Sequence, residues 1–338
     1  MKLLIYIVQR ILYLLPALIG VSIIMFVITR VLPGNPAYMI VGVHANEKTL
    51  QATIEKLGLD RPIWEQYVDY MGNLDTGDLG TAWRTSNPVT FDLKSRFPAT
   101  IELSTYSLIF AIIWSIGLGV WAAVKDQGIV SRGADVVSAA GVSIPEFWLG
   151  LILILVFFSY LNIAPPPLGR IGLDVDAPQE ITRLYTVDAV LTGNWEALRA
   201  SLAQLALPVA TLSFVIGAPV MRLTRTFMIE ALQSDYVRAA RAYGVPLRTI
   251  IFRYAFRNAL LPVTTLIGMI YGYLLGGTVL VEMVFAWPGM GKYAVDSMLS
   301  SDYSPIMAVV LLSAAIYLVV YLIIDVLHFV LDPRTRGA

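Results

Sequence analysis

The strongest constraint on this chain is a set of long stretches that contain no charged residue. A helix needs about 20 apolar residues to cross a hydrocarbon layer of about 30 Å, in which the backbone finds no other hydrogen-bond partners. Six stretches qualify: 11–29, 103–124, 147–164, 201–221, 259–281 and 305–324. They predict an all-α integral membrane protein with six transmembrane helices, here called the first to sixth spans.

Composition agrees with this prediction. Of the 338 residues, 57% are hydrophobic and 14% are charged, whereas soluble domains carry about 25% charge. An ordinary soluble enzyme is therefore excluded. The first stretch could instead be a signal peptide, but its 19 uncharged residues between Arg10 and Arg30 exceed a signal core of about 7–15 residues. We therefore interpret it as a retained span.

The distribution of basic residues predicts the orientation, because loops rich in Lys and Arg stay in the cytoplasm. Residues 222–257 contain seven arginines against two acidic residues, whereas the loops on the other side carry more acidic than basic residues. Both termini are therefore expected in the cytoplasm of a multi-pass protein of the cell (inner or plasma) membrane. The net charge of zero gives no reason to expect nucleic acid as a partner.

The segment 32–98 on the external side is too long to be a simple connector. Apolar residues recur at three- and four-residue steps before and after the turn at 58–62, which predicts two amphipathic helices. The expected organisation is an N-terminal tail and first span (1–31), a small, mainly helical external segment (32–98), a core (99–331) and a cytoplasmic tail (332–338).

A short helix is predicted at about 230–244, within the cytoplasmic loop. Asp235 can cap its first turn, and Gly244 followed by Pro246 ends it. Two interpretations remain open. The arginines can simply enforce topology and meet anionic lipid, or the helix can dock into a groove on a cytoplasmic protein. Three small residues would allow close approach: Ala239, Ala240 and Ala242.

Catalytic, cofactor-binding and metal-binding residues are not predicted. The chain has no cysteine and two histidines, His44 and His328, which excludes a thiolate zinc site or a Cys/His nucleophile pair. Gly291-Lys292 suggests a phosphate loop, but the required Gly six residues before the Lys is Ala286. An intramembrane hydrolase lacks a nucleophile and base, and a carrier driven by ions would be expected to have charges at mid-membrane.

Polar and small residues near the spans allow two interpretations each. Glu146 and Asp325 lie near predicted membrane interfaces, where either a functional role or simple hydration explains them. Glycines at four-residue spacing on the fifth span allow a helix to approach closely, either from a partner or from the same subunit. These glycines are Gly268, Gly272 and Gly276, with Gly277 adjacent.

Residues 236–244 (Tyr-Val-Arg-Ala-Ala-Arg-Ala-Tyr-Gly), continuing through 257–263, resemble the coupling-helix signature of binding-protein-dependent ABC importer permeases. Arg238 and the late Leu261-Pro262 depart from the general signature but are similar to the dipeptide/oligopeptide/nickel subfamily. Further motifs match that subfamily in order, at 32–36, 57–62, 77–80, 96–103, 287–291 and 331–334. The chain resembles the first of the two paralogous permeases of such systems.

The resemblance implies a type I ABC importer permease that forms half of a pore. Its implied partners are a paralogous permease, two cytoplasmic ATPases that bind ATP and Mg, an external solute-binding protein and the lipid bilayer. The implied ATPase-coupling residues are Asp235, Tyr236, Val237, Arg238, Ala239, Ala240, Arg241, Ala242, Tyr243 and Gly244. Asn258 and Pro262 would support the coupling loop, and Met269, Tyr271 and Tyr273 could face the substrate path.

The implied substrates are dipeptides and oligopeptides. The same subfamily includes importers of oligosaccharides and nickel complexes, so these remain alternatives. An autonomous secondary carrier is the alternative from a different class.

Overall fold

In the computed structural model, residues 2–31, 46–56, 58–126 and 128–331 are described. The motif at 32–36, His44 and the tail 332–338 lie outside them. Apart from one isolated bridge between Thr81 and Pro88, the regular structure of the described residues is helical. The helices are α1 (Lys2–Val31), α2 (Glu47–Lys56), α3 (Ile63–Asp75), α4 (Val89–Val124), α5 (Ile129–Ser143), α6 (Glu146–Leu153), α7 (Tyr185–Leu191), α8 (Trp195–Gln233), α9 (Asp235–Ala242), α10 (Phe256–Gly277), α11 (Val279–Val284), α12 (Met290–Leu299) and α13 (Tyr303–Leu331).

Five of these helices are long and apolar enough to cross a membrane, namely α1, α4, α8, α10 and α13. The third span differs from the single helix predicted over 147–164. There, α5 and α6 are bent by 106° at their junction, which is the geometry of a broken span or of a re-entrant loop, and α6 continues into a π-helical turn, Ile154–Tyr160. The break falls at Pro145, which lacks an N–H and disfavours helix at the residue before it.

The fifth span is also interrupted where one helix was predicted over 259–281. α10 ends at Gly277, and α11 is a separate helix outside the span. At the other end, a short turn, Leu247–Thr249, and a π-helical turn, Ile250–Ala255, lead into α10. The fifth span therefore has irregular backbone on both sides.

Helices α2 and α3 flank the turn at 58–62, and α3 packs along α1. The Tyr67 hydroxyl lies 2.7 Å from Ser22 Oγ, and the rings of Tyr67 and Tyr70 contact Phe26. The aromatic stripe of α3 is thus a packing face, whereas Trp64 on the same helix is exposed.

Small residues bring the central helices together. Gly119 of α4 lies so close to α8 that a Cβ there would be 2.9 Å from the Met221 carbonyl oxygen, and one at Gly141 of α5 would be 2.3 Å from the Ala218 Cβ. Such close approach is typical of membrane helix packing. α8 therefore forms the centre of the subunit, with α4 and α5 against it.

The glycine face of α10 packs on α13 of the same chain. A Cβ at Gly268 would lie 2.1 Å from Ile324 Cδ1, and one at Gly272 would lie 2.6 Å from Tyr317 Cδ2. Of the two interpretations left open by the sequence, the structure favours packing within the subunit. Asp325, near the C-terminal end of α13, pairs with Arg10 of α1 at 3.1 Å.

Candidate functional site

The predicted coupling segment contains the short helix α9, which follows α8 after a single extended residue. That residue, Ser234, occupies the N-cap position, so the assignment of the cap to Asp235 is wrong. Asp235 is the first helical residue, where a negative charge favours the positive end of the helix dipole, and it pairs with Arg238. Residues 230–233, included in the predicted range, belong to α8.

Gly244 ends α9 in the manner expected from the sequence. Its φ is +72°, a left-handed conformation that residues with a Cβ rarely adopt. Gly244 N donates to the Arg241 carbonyl (3.0 Å) and Val245 N to the Ala240 carbonyl (3.1 Å), which together form a Schellman motif. The direction in which the chain leaves α9 is therefore defined.

The two faces of α9 have different roles. Val237 and Ala240 are buried against Ile250, Leu232 and Val245 of the same chain. The opposite face is exposed: Tyr236, Arg238, Ala239, Arg241, Ala242 and Tyr243. Ala240, grouped in the sequence with the small residues available for docking, thus packs inside the subunit.

The side chain of Asn258 joins α9 to the fifth span. Its Nδ2 donates to the Tyr236 hydroxyl at 2.9 Å and to the Tyr254 carbonyl at 3.1 Å. Pro262 lies within α10 and lacks the N–H that would bond to the carbonyl four residues before it. The structure thus brings together the start of α9 and the start of α10, as a tether requires.

A second connection on the same side involves Arg225 of α8, which the sequence analysis treated only as a topology signal. Its guanidinium donates to Asp135 (2.5 Å), Asp126 (3.0 Å) and Ser131 Oγ (2.5 Å). These partners lie after α4 and in the first turns of α5. Two acidic residues between the predicted second and third spans, Asp126 and Asp135, were the available sequence signal.

The three residues predicted to face the substrate path lie on two faces of α10. Met269 and Tyr273, one helical turn apart, line a cavity of about 720 Å³. The Tyr271 hydroxyl instead lies 3.0 Å from Thr105 Oγ1 on α4. Tyr271 therefore takes part in helix packing, and Met269 and Tyr273 are the two members that border open space.

Glu102 and Glu282 are buried acidic residues that were not singled out from the sequence. Glu102 of α4 accepts from Arg170 at 2.6 Å and from the backbone and hydroxyl of Thr186 at 2.8 and 2.7 Å. The Arg170 guanidinium carbon also lies 3.7 Å from the Tyr185 ring centroid. These contacts tie the segment between α6 and α8 to α4.

The second is Glu282 of α11, whose side chain is completely buried. Burial raises the pKa of the Glu282 carboxyl group, against the opposing effect of hydrogen bonds from Lys292 N, Thr100 and Thr278. An acidic residue shortly before the Trp-Pro-Gly turn was the available sequence signal.

Two sequence families together match most of the chain. Residues 115–337 match the family described as "Binding-protein-dependent transport system inner membrane component". Residues 3–104 match the N-terminal family of membrane components of the same transport systems.

Individual relatives are similar over almost their whole length. The probable D,D-dipeptide transport system permease protein DdpB of Escherichia coli is 40% identical over 315 residues, 93% of this chain and 92% of that protein. The dipeptide transport system permease protein DppB of Alkalihalophilus pseudofirmus is 37% identical, covering 98% of this chain and 99% of the relative. The glutathione transport system permease protein GsiC of Escherichia coli is 34% identical, covering 98% of both chains.

Proposed function

The chain belongs to the binding-protein-dependent transport system inner membrane component family, and on this premise we propose that it forms half of the pore of an ATP-driven importer of dipeptides or oligopeptides. The relatives are named for dipeptides, D,D-dipeptides and glutathione, all short solutes with amide bonds. These names support peptides over oligosaccharides or nickel complexes as the transported solute.

The observation that carries the coupling role is the two-faced helix α9. Its buried face packs against α8 and the turn before α10. Its exposed face presents Arg238, Arg241 and Tyr243. Tyr243 is 88% exposed. A helix held rigidly by two spans and exposed on its other side can receive movement from a partner and pass it to both spans.

The chain itself is proposed to be non-catalytic. Two cytoplasmic ATPases would bind ATP and Mg²⁺ and dock on the exposed face of α9. That face, both chain termini and the arginines of residues 222–257 would therefore lie in the cytoplasm. A paralogous permease would supply the other half of the pore. An external solute-binding protein would deliver the peptide.

The test is uptake of a labelled dipeptide by proteoliposomes that contain the chain, its paralogous permease and the ATPases, with binding protein added outside. Arg241→Glu combined with Ala239→Trp alters the exposed face of α9 and leaves its buried face unchanged. We expect uptake and ATPase co-purification to fall at least about tenfold, because an interface charge is reversed and a bulky side chain obstructs docking.

Arg132→Glu is the matched control, because Arg132 is an exposed arginine on α5 outside α9. Its uptake should equal that of the unmodified transporter. If the double variant also retained full uptake and co-purification, α9 would not be the docking helix. Transport by the purified chain alone, without ATPases, would instead favour an autonomous carrier.

A further inference from the structure

Glu282 is surrounded by hydrogen-bond donors from three separate elements. Its Oε1 accepts from Thr100 Oγ1 of α4 at 2.7 Å and from Thr278 Oγ1, just after α10, at 3.0 Å. Its Oε2 accepts from Lys292 N of α12 at 2.8 Å. A carboxylate that is 0% exposed therefore bridges the outer ends of the second and fifth spans and the helix that precedes the sixth.

The turn between α11 and α12 closes tightly around this carboxylate. Met290 N donates to Thr100 Oγ1 at 2.9 Å, and Trp287 Nε1 donates to the Ala99 carbonyl at 2.8 Å. A Cβ at Gly289 would lie 2.2 Å from Glu282 Oε1. The turn can take this position only without a side chain at 289, and its hydrogen bonds hold it against the start of α4.

The same residues border the cavity that Met269 and Tyr273 line. Thr100, Thr278 and Met290 belong to its wall. Met269 lies nine residues before Thr278 on the fifth span, or about 13 Å at 1.5 Å per residue. The network around Glu282 thus lies at the outer end of a cavity that extends into the membrane-spanning part of the subunit.

We propose that Glu282 is a positioning residue of an outer latch, formed with Thr100, Thr278, Met290 and Lys292, that closes this cavity toward the external side. The latch holds three elements together in the closed arrangement and separates when the transporter opens outward to accept solute. Hydrogen bonds suit this role. Together, several bonds to one buried carboxyl group strongly favour a single arrangement of the elements, and they break together when the elements move apart. The external direction rests on the proposed function.

The experiment uses the absence of cysteine in this chain. Ser313→Cys places a single thiol in the cavity wall, on α13, of the assembled transporter with cysteine-free partners. A membrane-impermeant maleimide added outside then reports whether the cavity is open. Thr100→Val, Thr278→Val and Glu282→Gln each remove latch hydrogen bonds with little change in volume, and the two valine variants keep the carboxylate if Glu282→Gln fails to fold.

In the nucleotide-free transporter, we expect each latch variant to increase the labelling rate about tenfold, since a buried hydrogen-bonding group left without its partner shifts an equilibrium by about that factor. With the ATPases closed by a non-hydrolysable ATP analogue, the variants and the parent should label at the same fast rate. Thr211→Val is the control, because the one hydrogen bond of its buried hydroxyl among the described residues is to the Leu207 carbonyl of its own helix, at 2.9 Å.

Equal nucleotide-free labelling of the parent and the folded latch variants would overturn the latch. A purely structural role would lower assembly or thermal stability without this state-dependent labelling. Labelling requires no peptide, so failure of the unmodified transporter to import peptide would contradict the proposed function and leave the labelling result readable.

Discussion

Buried carboxylates in the connecting segments organise the backbone around them. Asp188 accepts from the backbone N–H groups of Ile181, Thr182 and Arg183 at 2.7–3.2 Å, and Asp302 accepts from Trp83 N at 2.6 Å. Each carboxylate therefore fixes a turn in a connecting segment. The same chemistry at Glu282 joins three elements.

Asp188 provides a prediction for the pH dependence of stability. Burial raises the pKa of its carboxyl group, but the hydrogen bonds from Thr182, Ile181 and Arg183 outweigh this effect, and the pKa lies below its ordinary value. The ionised group therefore contributes stability above the unfolded pKa of about 3.9, and this contribution is lost as the pH falls through the lower folded pKa.

We expect Asp188→Asn to lower the free energy of unfolding by about 1–3 kcal/mol at pH 7. The amide NH₂ group of Asn would replace a carboxylate oxygen that accepts hydrogen bonds from backbone N–H groups, and an NH₂ group cannot accept them. Below about pH 4 the difference from the unmodified chain should shrink. Thermal unfolding of detergent-solubilised protein across this pH range measures it. Asp176→Asn, at an exposed position of the same loop, should show little difference at any pH, and a pH-independent effect at Asp188 would contradict the argument.

At the level of elements, close helix contacts depend on particular glycines. On α5, a Cβ at Gly141 would lie 2.3 Å from the Ala218 Cβ, whereas one at Gly133 would meet nothing within 4 Å. The same substitution on the same helix should therefore have opposite effects.

Gly141→Ala is expected to destabilise the subunit by about 1–3 kcal/mol, because neither Cβ can rotate away and the helices must separate. Gly133→Ala is expected to be neutral or to stabilise it by up to about 1 kcal/mol through helix propensity. Unfolding of the purified variants in detergent measures both. Equal stability of the two variants would show that α5 and α8 are not packed as described.

The elements also show how far the sequence could predict the fold. Five spans and the two external helices follow from hydrophobic patterning, since charge-free length and amphipathic spacing are local properties. The 106° bend of the third span was missed because Pro145 marks a break but not its angle, which depends on how α5 and α6 pack on neighbouring helices. The burial of Ala240 was missed for the same reason, because it depends on how α9 packs against Leu232, Val245 and Ile250.

For the candidate site, the predictable part was likewise local. The Gly244 stop and the position of Asn258 follow from short motifs, and the bond from Asn258 to Tyr236 has the geometry of the expected tether. The Glu282 network joins residues 182 positions apart. A single sequence contains no signal that pairs Thr100 with Glu282.

At the scale of the whole molecule, contacts near α9 link it to α8 and α10 and, through α8, to α4 and α5. α9 packs on α8 and on the turn before α10, and α8 is joined through Arg225 to Asp126 after α4 and to Asp135 of α5. Movement of α9 can therefore reach the second, third, fourth and fifth spans. Arg225 bonds to Asp126, Ser131 and Asp135, so its removal breaks all three of these bonds at once.

We expect Arg225→Ala to lower the ratio of peptide imported to ATP hydrolysed about tenfold, because α4 and α5 lose their charge-assisted bonds to α8 and two carboxylates are left near each other. The proposed docking of the ATPases on α9 should persist, since Arg225 lies on α8 and not on the exposed face of α9. The measurement is paired uptake and ATPase activity in proteoliposomes. Arg222→Ala, three residues earlier on the same helix and exposed, is the matched control, and an equal ratio in the two variants would show that Arg225 does not transmit the movement.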